Sequence, residues 1–162
     1  MDKIDKIITQ WHKERPDLDV TSMALIGRFK RISQYLTQEM TNTFSKHGLN
    51  LANFDVLATL RRSGPSYALS PNDLIGSTMV TSGTMTNRID QLVKAGLVER
   101  IKNPDDGRSV IVSLTRAGFD VIDSALTAHV DTQTMLTSGL SQDEQKQLNA
   151  LLKKFLKCFE DQ

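Results

Sequence analysis

Residues 70–114 read SPNDLIGSTMVTSGTMTNRIDQLVKAGLVERIKNPDDGRSVIVSL, and the order of local signals in this stretch decides the fold. Ser70 is a good helix cap, Pro71 suits the first helical position, and Asp73 places an acid three residues after the cap. This pattern predicts a short helix that ends at about Thr78.

A second helix is predicted directly afterwards, beginning at Thr81 or Ser82 and ending at Ala95 before Gly96. Glycine is typical of a helix end because it adopts positive φ without strain. The apolar residues of this segment recur every three or four positions, which predicts a buried face made of Met85, Ile89, Leu92 and Val93. Two helices joined by a short turn form a helix-turn-helix.

Two strands are predicted after the second helix, at residues 97–101 and 110–114, because both segments are rich in β-branched residues. The turn-forming sequence NPDDG at residues 103–107 separates them, so the pair is predicted to form a β-hairpin. A helix-turn-helix followed by a hairpin is the winged helix-turn-helix arrangement.

Further helices are predicted on both sides of this core, and one core of this kind does not need them. Their expected bounds are residues 4–14, 21–46, 51–62, 116–136 and 142–159. The expected inward residues of the third are Leu51, Phe54, Leu57 and Leu60. We therefore predict a mainly α chain with a small β-hairpin wing. The expected organisation is N-terminal helices at residues 1–47, a winged helix-turn-helix core at residues 48–115 and C-terminal helices at residues 116–162.

Composition excludes several classes of function. The chain has 162 residues, one cysteine and three histidines, so neither an internal disulfide framework nor a cysteine-based zinc site is possible. The histidine spacing does not predict a metal site, and no nucleophile elbow or glycine-rich phosphate loop is present, so we expect no enzyme and no cofactor. No apolar run reaches the length of a membrane span, and the charged N-terminus is unlike a signal peptide, so we expect a cytoplasmic protein.

The charge distribution favours a polyanionic partner. Net charge is +1 overall, but residues 21–116 hold twelve basic and seven acidic residues, a net charge of +5. The exposed side of the second helix carries groups suited to reading base edges in a major groove: Ser82, Thr84, Asn87, Arg88 and Gln91. The alternative for this helix is a solvated polar face without a partner.

The hairpin tip carries Asp106 and Arg108. An arginine on a projecting turn can enter the minor groove, where the negative potential is strong. A neighbouring carboxylate can orient the guanidinium through a bidentate pair. The alternative is an exposed ion pair that contributes little.

The sequence resembles the MarR family of bacterial transcriptional regulators over nearly its whole length. The resemblance rests on the segments TSGTMTNRID, GLVER, NPDDGRS and LTRAG, which begin at residues 81, 96, 103 and 114. It implies a homodimer that is built by the dimerisation helices in residues 1–47 and 116–162. It also implies that residues 48–115 bind palindromic operator DNA and that small anionic effectors weaken this binding.

The N-terminal helix is similar to that of the PecS-type, urate-responsive branch of this family. That resemblance implies a urate site formed by Trp11, Asp55, Arg88 and Arg100. An aromatic wall and guanidinium groups suit a flat purine anion, although xanthine or a phenolic anion fits the same chemistry. Each of the four residues also has a purely structural or DNA-contacting alternative.

A different class of function stays open, namely a winged-helix protein-interaction module that does not bind DNA. Such a module is expected to expose apolar residues on the second helix and the wing.

Overall fold

The computed structural model describes residues 1–78, 82–104 and 106–160. The turn at Met79 and Val80, the alternative helix start at Thr81, and Asp105 of the hairpin tip lie outside the described residues. The described residues form seven helices and three strands: α1 (Lys3–Glu14), α2 (Thr21–Ser45), α3 (Leu51–Arg62), β1 (Ala68–Leu69), α4 (Pro71–Ser77), α5 (Ser82–Lys94), β2 (Val98–Lys102), β3 (Val110–Leu114), α6 (Arg116–Thr137) and α7 (Gln142–Glu160). This order confirms the predicted mainly α fold with a hairpin wing.

The chain divides into two compact units, and the boundary lies between Asn42 and Thr43. In the first unit α1 is fixed to α2 by charge. Arg28 of α2 forms ion pairs with Asp2 and Asp5, the two carboxylates of the α1 capping box. The chain also approaches closely at Gly27, where a Cβ atom would lie 3.2 Å from the Ile4 side chain.

The second unit buries most of the apolar faces that the sequence predicted. On α5 the residues Met85, Ile89 and Leu92 are at most 2% exposed, whereas Val93 is half-buried. The predicted inward residues of α3 are buried except for Leu51, which is exposed. The prediction for Leu51 is wrong because apolar spacing indicates which side of a helix faces inward, but not how far along the helix its cover extends.

The wing is a three-stranded antiparallel sheet with the order β1-β3-β2, one strand more than the predicted hairpin. The pairing of β2 with β3 runs from Val98 opposite Leu114 to Lys102 opposite Val110. The two residues of β1 pair with the other side of β3. Tyr67 precedes β1 with a φ of +46°, a strained conformation for a bulky residue that costs about 1–3 kcal/mol.

The base of the hairpin is joined directly to the start of α6. The Thr115 hydroxyl donates a hydrogen bond to the Gly96 carbonyl (2.7 Å), and the Thr115 backbone N–H donates to the Leu97 carbonyl (3.2 Å). Gly118 lies against the same backbone, and a Cβ atom there would come within 1.8 Å of the Leu97 carbonyl oxygen. Only glycine fits this approach, so the first turn of α6 sets the position of the wing.

The terminal helices differ from the winged core in exposure. The structure describes every residue of α1 and α7, and none of them is buried. On α7 the exposed apolar residues are Leu148, Leu151, Leu152, Phe155, Leu156 and Phe159. None of the described helices carries an apolar stretch that is long enough to cross a membrane.

Candidate nucleic-acid interface

Helix α4 is fixed at both ends, which positions the helix that follows it. The Ser70 hydroxyl accepts a hydrogen bond from the Asp73 backbone N–H (3.1 Å) and donates one to its carboxylate (2.7 Å), as the predicted cap requires. At the other end, the Arg62 guanidinium donates to the Ser77 carbonyl (2.8 Å). Leu74 is fully buried between these ends.

Helix α5 presents a polar face on the side opposite its buried residues. Thr84, Asn87 and Gln91 are exposed, and Ser82 is the first residue of the helix. Arg88 is half-buried on the flank of this face, and its Nε forms no hydrogen bond with any residue that the structure describes. A buried guanidinium nitrogen without an acceptor is costly, so Arg88 is poised to gain a partner.

Arg100 of β2 is already engaged. Its guanidinium donates to the Asp90 carboxylate of α5 at 2.6 Å, which ties the wing to the polar helix. The side chains of Arg100 and Asp90 are 41% and 57% exposed, so the pair contributes only about 0.2–1 kcal/mol. Sequence patterns do not predict this partner, because the contact forms across the turn at Gly96, between residues ten positions apart.

The tip of the wing is held by local hydrogen bonds. The Asn103 backbone N–H donates to the Ser109 carbonyl, and the Ser109 N–H donates to the Asp106 carbonyl, both at 2.9 Å. The Asp106 carboxylate accepts from the Arg108 backbone N–H (3.1 Å) rather than from its guanidinium. The predicted bidentate pair is therefore not formed by Asp106. The Arg108 side chain is exposed and available to a partner outside the chain.

The remaining predicted ligand residues lie in both units. Asp55 of α3 is half-buried, and its carboxylate has no hydrogen bond or ion pair with the described residues. Trp11 belongs to the N-terminal unit and is 41% exposed. Within the second unit Asp55, Arg88 and Arg100 form no ion pair with one another. Asp55 and Arg88 are thus two half-buried charged groups whose partners are not in the described chain.

The second unit also contains an aromatic cluster that the sequence did not predict. The His129 ring lies 5.2 Å from the Phe44 ring and 5.0 Å from the Phe54 ring, measured between centroids. Burial lowers the pKa of His129 below its usual value of 6.5. Its buried Nδ1 has no hydrogen-bond partner among the described residues, and the half-buried ring packs against the two phenylalanine rings.

Comparison with known proteins identifies the family. A model of the MarR family matches residues 47–109, the segment that holds α3, β1, α4, α5 and β2. The chain is 39% identical to the HTH-type transcriptional regulator PecS of Dickeya dadantii (strain 3937) over 150 residues, which cover 93% of this chain and 90% of PecS. The chain belongs to the MarR family. It is a transcriptional regulator of the MarR and PecS kind, and its relatives are regulators rather than enzymes, as the sequence predicted.

Two solved structures of DNA-binding proteins are similar to this chain. The first is a mutant MarR from E. coli in complex with operator DNA, with a TM-score of 0.72 and 30% identity, covering 85% of this chain and 97% of that one. The second is BpsR of Bordetella bronchiseptica, described with a mechanism for regulation of its DNA binding by 6-hydroxynicotinic acid. Its TM-score is 0.68 and its identity 26%, covering 80% of this chain and 90% of that one.

Proposed function

We propose that this MarR-family chain is a homodimeric repressor that binds a palindromic operator and releases it when a small planar anion binds. Urate or a related purine is the proposed effector, and the cytoplasm is the proposed compartment. One observation carries the proposal: the exposed face of α5 is polar throughout Thr84, Asn87 and Gln91, while its opposite face is buried.

The chemistry of this face suits direct reading of DNA. Amide groups such as those of Asn87 and Gln91 can form paired hydrogen bonds with adenine, and the Thr84 methyl group can contact thymine. Arg88 can reach guanine or a phosphate from the flank, and Ser82 at the helix start can donate to the backbone. The exposed Arg108 then occupies the minor groove beside the wing.

The homodimer is supported by the apolar residues that the terminal helices leave exposed. Leu152 and Phe155 of α7 are 39% and 36% exposed, and they are our candidates for the contact between two copies. A two-fold dimer presents two α5 helices, so its binding site on DNA is palindromic.

The effector site is proposed from the four residues of the family resemblance. Trp11 forms the wall for a planar ring, and Arg88 supplies a guanidinium whose Nε has no hydrogen-bond partner among the described residues. An anion near Asp55 repels the half-buried carboxylate, and this repulsion displaces it. Arg100 can join the ligand only by sharing or leaving its contact with Asp90. The regulation of DNA binding in BpsR by 6-hydroxynicotinic acid, a small planar compound, supports a ligand of this kind.

Coupling between the two sites follows if Arg88 serves both. Recruitment of Arg88 by the ligand removes a contact from the DNA-reading helix and lowers operator affinity. By linkage, DNA must then lower the affinity for the effector by the same factor.

The test is a mobility-shift titration on the DNA that flanks the gene, with and without urate, using Trp11 fluorescence to follow binding. Trp11→Phe and Arg100→Ala are expected to weaken the response to urate and to leave DNA binding without ligand nearly unchanged. Arg88→Ala is expected to damage both. Saturating urate that neither quenches Trp11 nor releases DNA contradicts the purine assignment and leaves the regulator assignment standing.

The alternative function, a protein-interaction module that does not bind DNA, predicts a different surface. A docking surface for a protein is expected to be apolar at its centre, whereas the described side chains of the exposed α5 face are polar. The alternative is favoured if the chain binds no DNA from the flanking region and Arg108→Ala gives the same result as the wild type in that binding assay.

A further inference from the structure

The tip of the wing carries an aspartate followed by a glycine, Asp106–Gly107, and the sequence contains no second Asp-Gly step and no Asn-Gly step. Glycine after aspartate favours reaction of the side-chain carboxyl group with the next backbone nitrogen, because glycine has no Cβ atom in the way and a flexible backbone. We propose that Asp106 is a site of spontaneous covalent modification, where isomerisation to isoaspartate weakens the contact of the wing with DNA. The effect on DNA rests on the proposed function, through the contact of Arg108.

The structure leaves the reacting bond open to solvent. Asp106, Gly107 and Arg108 are exposed and lie between the end of β2 and the start of β3, outside the strand pairing. No described residue beyond the chain neighbours of Gly107 lies within 4 Å of its Cβ position. The Gly107 backbone N–H donates no hydrogen bond to any of the described residues. No bond within the described chain therefore has to break before this nitrogen reacts.

The Asp106 carboxyl group is held beside the nitrogen that it must meet. It accepts a hydrogen bond from the Arg108 backbone N–H at 3.1 Å. Because Arg108 follows Gly107, this bond folds the aspartate side chain back along the Gly107 peptide, as in an Asx-turn. The carboxyl carbon of Asp106 is thereby kept near the Gly107 nitrogen, and these are the two atoms between which the new bond forms.

The reaction needs no reagent except water. The Gly107 nitrogen attacks the carboxyl carbon of the protonated Asp106 side chain, and the new bond closes a succinimide ring while the carboxyl hydroxyl and the amide proton leave as water. Water then adds to the main-chain carbonyl carbon of Asp106 and breaks its bond to the Gly107 nitrogen. The main chain now passes through the former side-chain carboxyl carbon, and the former main-chain carbonyl becomes a free carboxylate. Nothing is oxidised or reduced, and the product has the mass of the original chain.

Isomerisation removes the hydrogen bonds that shape the tip. The Asp106 carbonyl accepts from the Ser109 backbone N–H (2.9 Å) and from the Ser109 hydroxyl (3.1 Å). In isoaspartate this carbonyl has left the main chain, and the chain between residues 106 and 107 is longer by one carbon. The strand pairing from Val98 to Lys102 is not involved, so the change displaces Arg108 without unfolding the wing. We expect operator affinity to fall about threefold to tenfold, as for the loss of one DNA contact.

The first test measures the modification itself. The purified full chain is kept for several weeks at neutral pH and physiological temperature, and electron-transfer fragmentation of its peptides locates isoaspartate. Asp123 is the internal control, because it also precedes a small residue, Ser124, but its backbone is fixed in α6 and its carboxylate pairs with Arg61. We expect at least about tenfold more isoaspartate at Asp106 than at Asp123, since a helical backbone resists ring closure. No isoaspartate at Asp106, or equal amounts at both positions, overturns the proposal.

Variants separate ring closure from general ageing of the chain. Gly107→Ala is expected to slow the reaction about tenfold, because the Cβ atom restricts the backbone and hinders the attack. Gly107 is not one of the glycines with positive φ, so alanine fits this turn. Gly139→Ala is the matched control, since Gly139 is also exposed with open surroundings but follows Ser138, and it should leave the rate unchanged. Equal rates of isoaspartate formation in Gly107→Ala and the wild type overturn the proposal.

The second test measures operator binding by the same aged samples. The aged wild type is expected to lose affinity in proportion to its isoaspartate content, whereas aged Gly107→Ala binds as it did when fresh. Isoaspartate at Asp106 with unchanged operator affinity overturns the proposed effect on DNA. Fresh protein that binds no operator overturns that effect together with the proposed function, while the isoaspartate measurement still decides whether Asp106 is a modification site.

Discussion

Helices α5 and α7 are both amphipathic, but only α5 has its apolar face covered within one chain. Met85, Ile89 and Leu92 of α5 are buried in the winged unit, whereas Leu151 and Phe159 of α7 are 66% and 64% exposed. The winged unit therefore completes its own core. The apolar face of α7 needs a surface that a single chain does not supply, and a second copy is the proposed source.

One added methyl group inside the winged unit is expected to lower its free energy of unfolding. Gly118→Ala is expected to cost about 3 kcal/mol of unfolding free energy, because the Cβ atom would meet the Leu97 carbonyl oxygen at 1.8 Å. The measurement is denaturant unfolding. Gly76→Ala in α4 is the matched control, since no described residue beyond its chain neighbours and its own helix backbone lies within 4 Å of its Cβ position. It is expected to be neutral or stabilising by up to about 1 kcal/mol. Equal stability of the two variants contradicts the close approach.

The proposed contact between the terminal helices of two copies can be disrupted without destabilising the winged unit. The double variant Leu152→Asp, Phe155→Asp is expected to be a monomer, because an apolar contact between two copies would have to bury unpaired carboxylates. Operator affinity is expected to fall about 100-fold because the two half-sites are no longer linked. Light scattering gives the mass and a mobility shift gives the affinity, with Lys146→Glu as a surface control. A dimeric mass for the double variant would falsify the proposed interface.

The wing is expected to contribute electrostatic affinity for DNA rather than discrimination between base sequences. Arg108→Ala should lower operator affinity on any sequence and make the dependence of log affinity on log salt shallower by about one unit. Titrations at several salt concentrations measure the slope. Lys102→Ala on β2 is the comparison for a basic residue away from the tip, and an Arg108→Ala slope equal to that of wild type argues against a contact with DNA.

The smallest expected effect is the pH response of the winged core. Burial lowers the pKa of His129, so the folded state stays neutral at a pH where the unfolded histidine takes up a proton. The free energy of unfolding therefore has its full value above about pH 6.5 and falls as the pH drops below that value. Unfolding by urea between pH 7.5 and pH 5 measures this loss. His129→Gln is expected to reduce the pH dependence, and His12→Gln on α1 is expected to leave it in place.

Local signals in the sequence predicted most of the elements but not the contacts between them. The cap at Ser70 placed the start of α4 correctly, because a side chain that bonds to its own first turn is a local event. The strand β1 was missed, since two residues carry too little pattern and their pairing depends on β3. The close approach of Gly118 to Leu97 was also missed, because it is a contact between two separate segments rather than a local pattern.

The candidate site also combines features that the sequence predicted with features that depend on the fold. The polar face of α5 follows from helical periodicity, so Thr84, Asn87 and Gln91 were predicted to be exposed and are exposed. The pair of Arg100 with Asp90 required the fold, because it joins a strand to a helix.

The central claim is that the exposed face of α5 reads base sequence, and Asn87→Ala tests it most directly. The measurement is the ratio of dissociation constants for the operator and for random DNA of equal length, at one salt concentration. We predict that the variant loses about 1–3 kcal/mol on the operator and much less on random DNA, so that the ratio falls by about tenfold or more. An unchanged ratio, with operator binding equal to that of the wild type, contradicts the account.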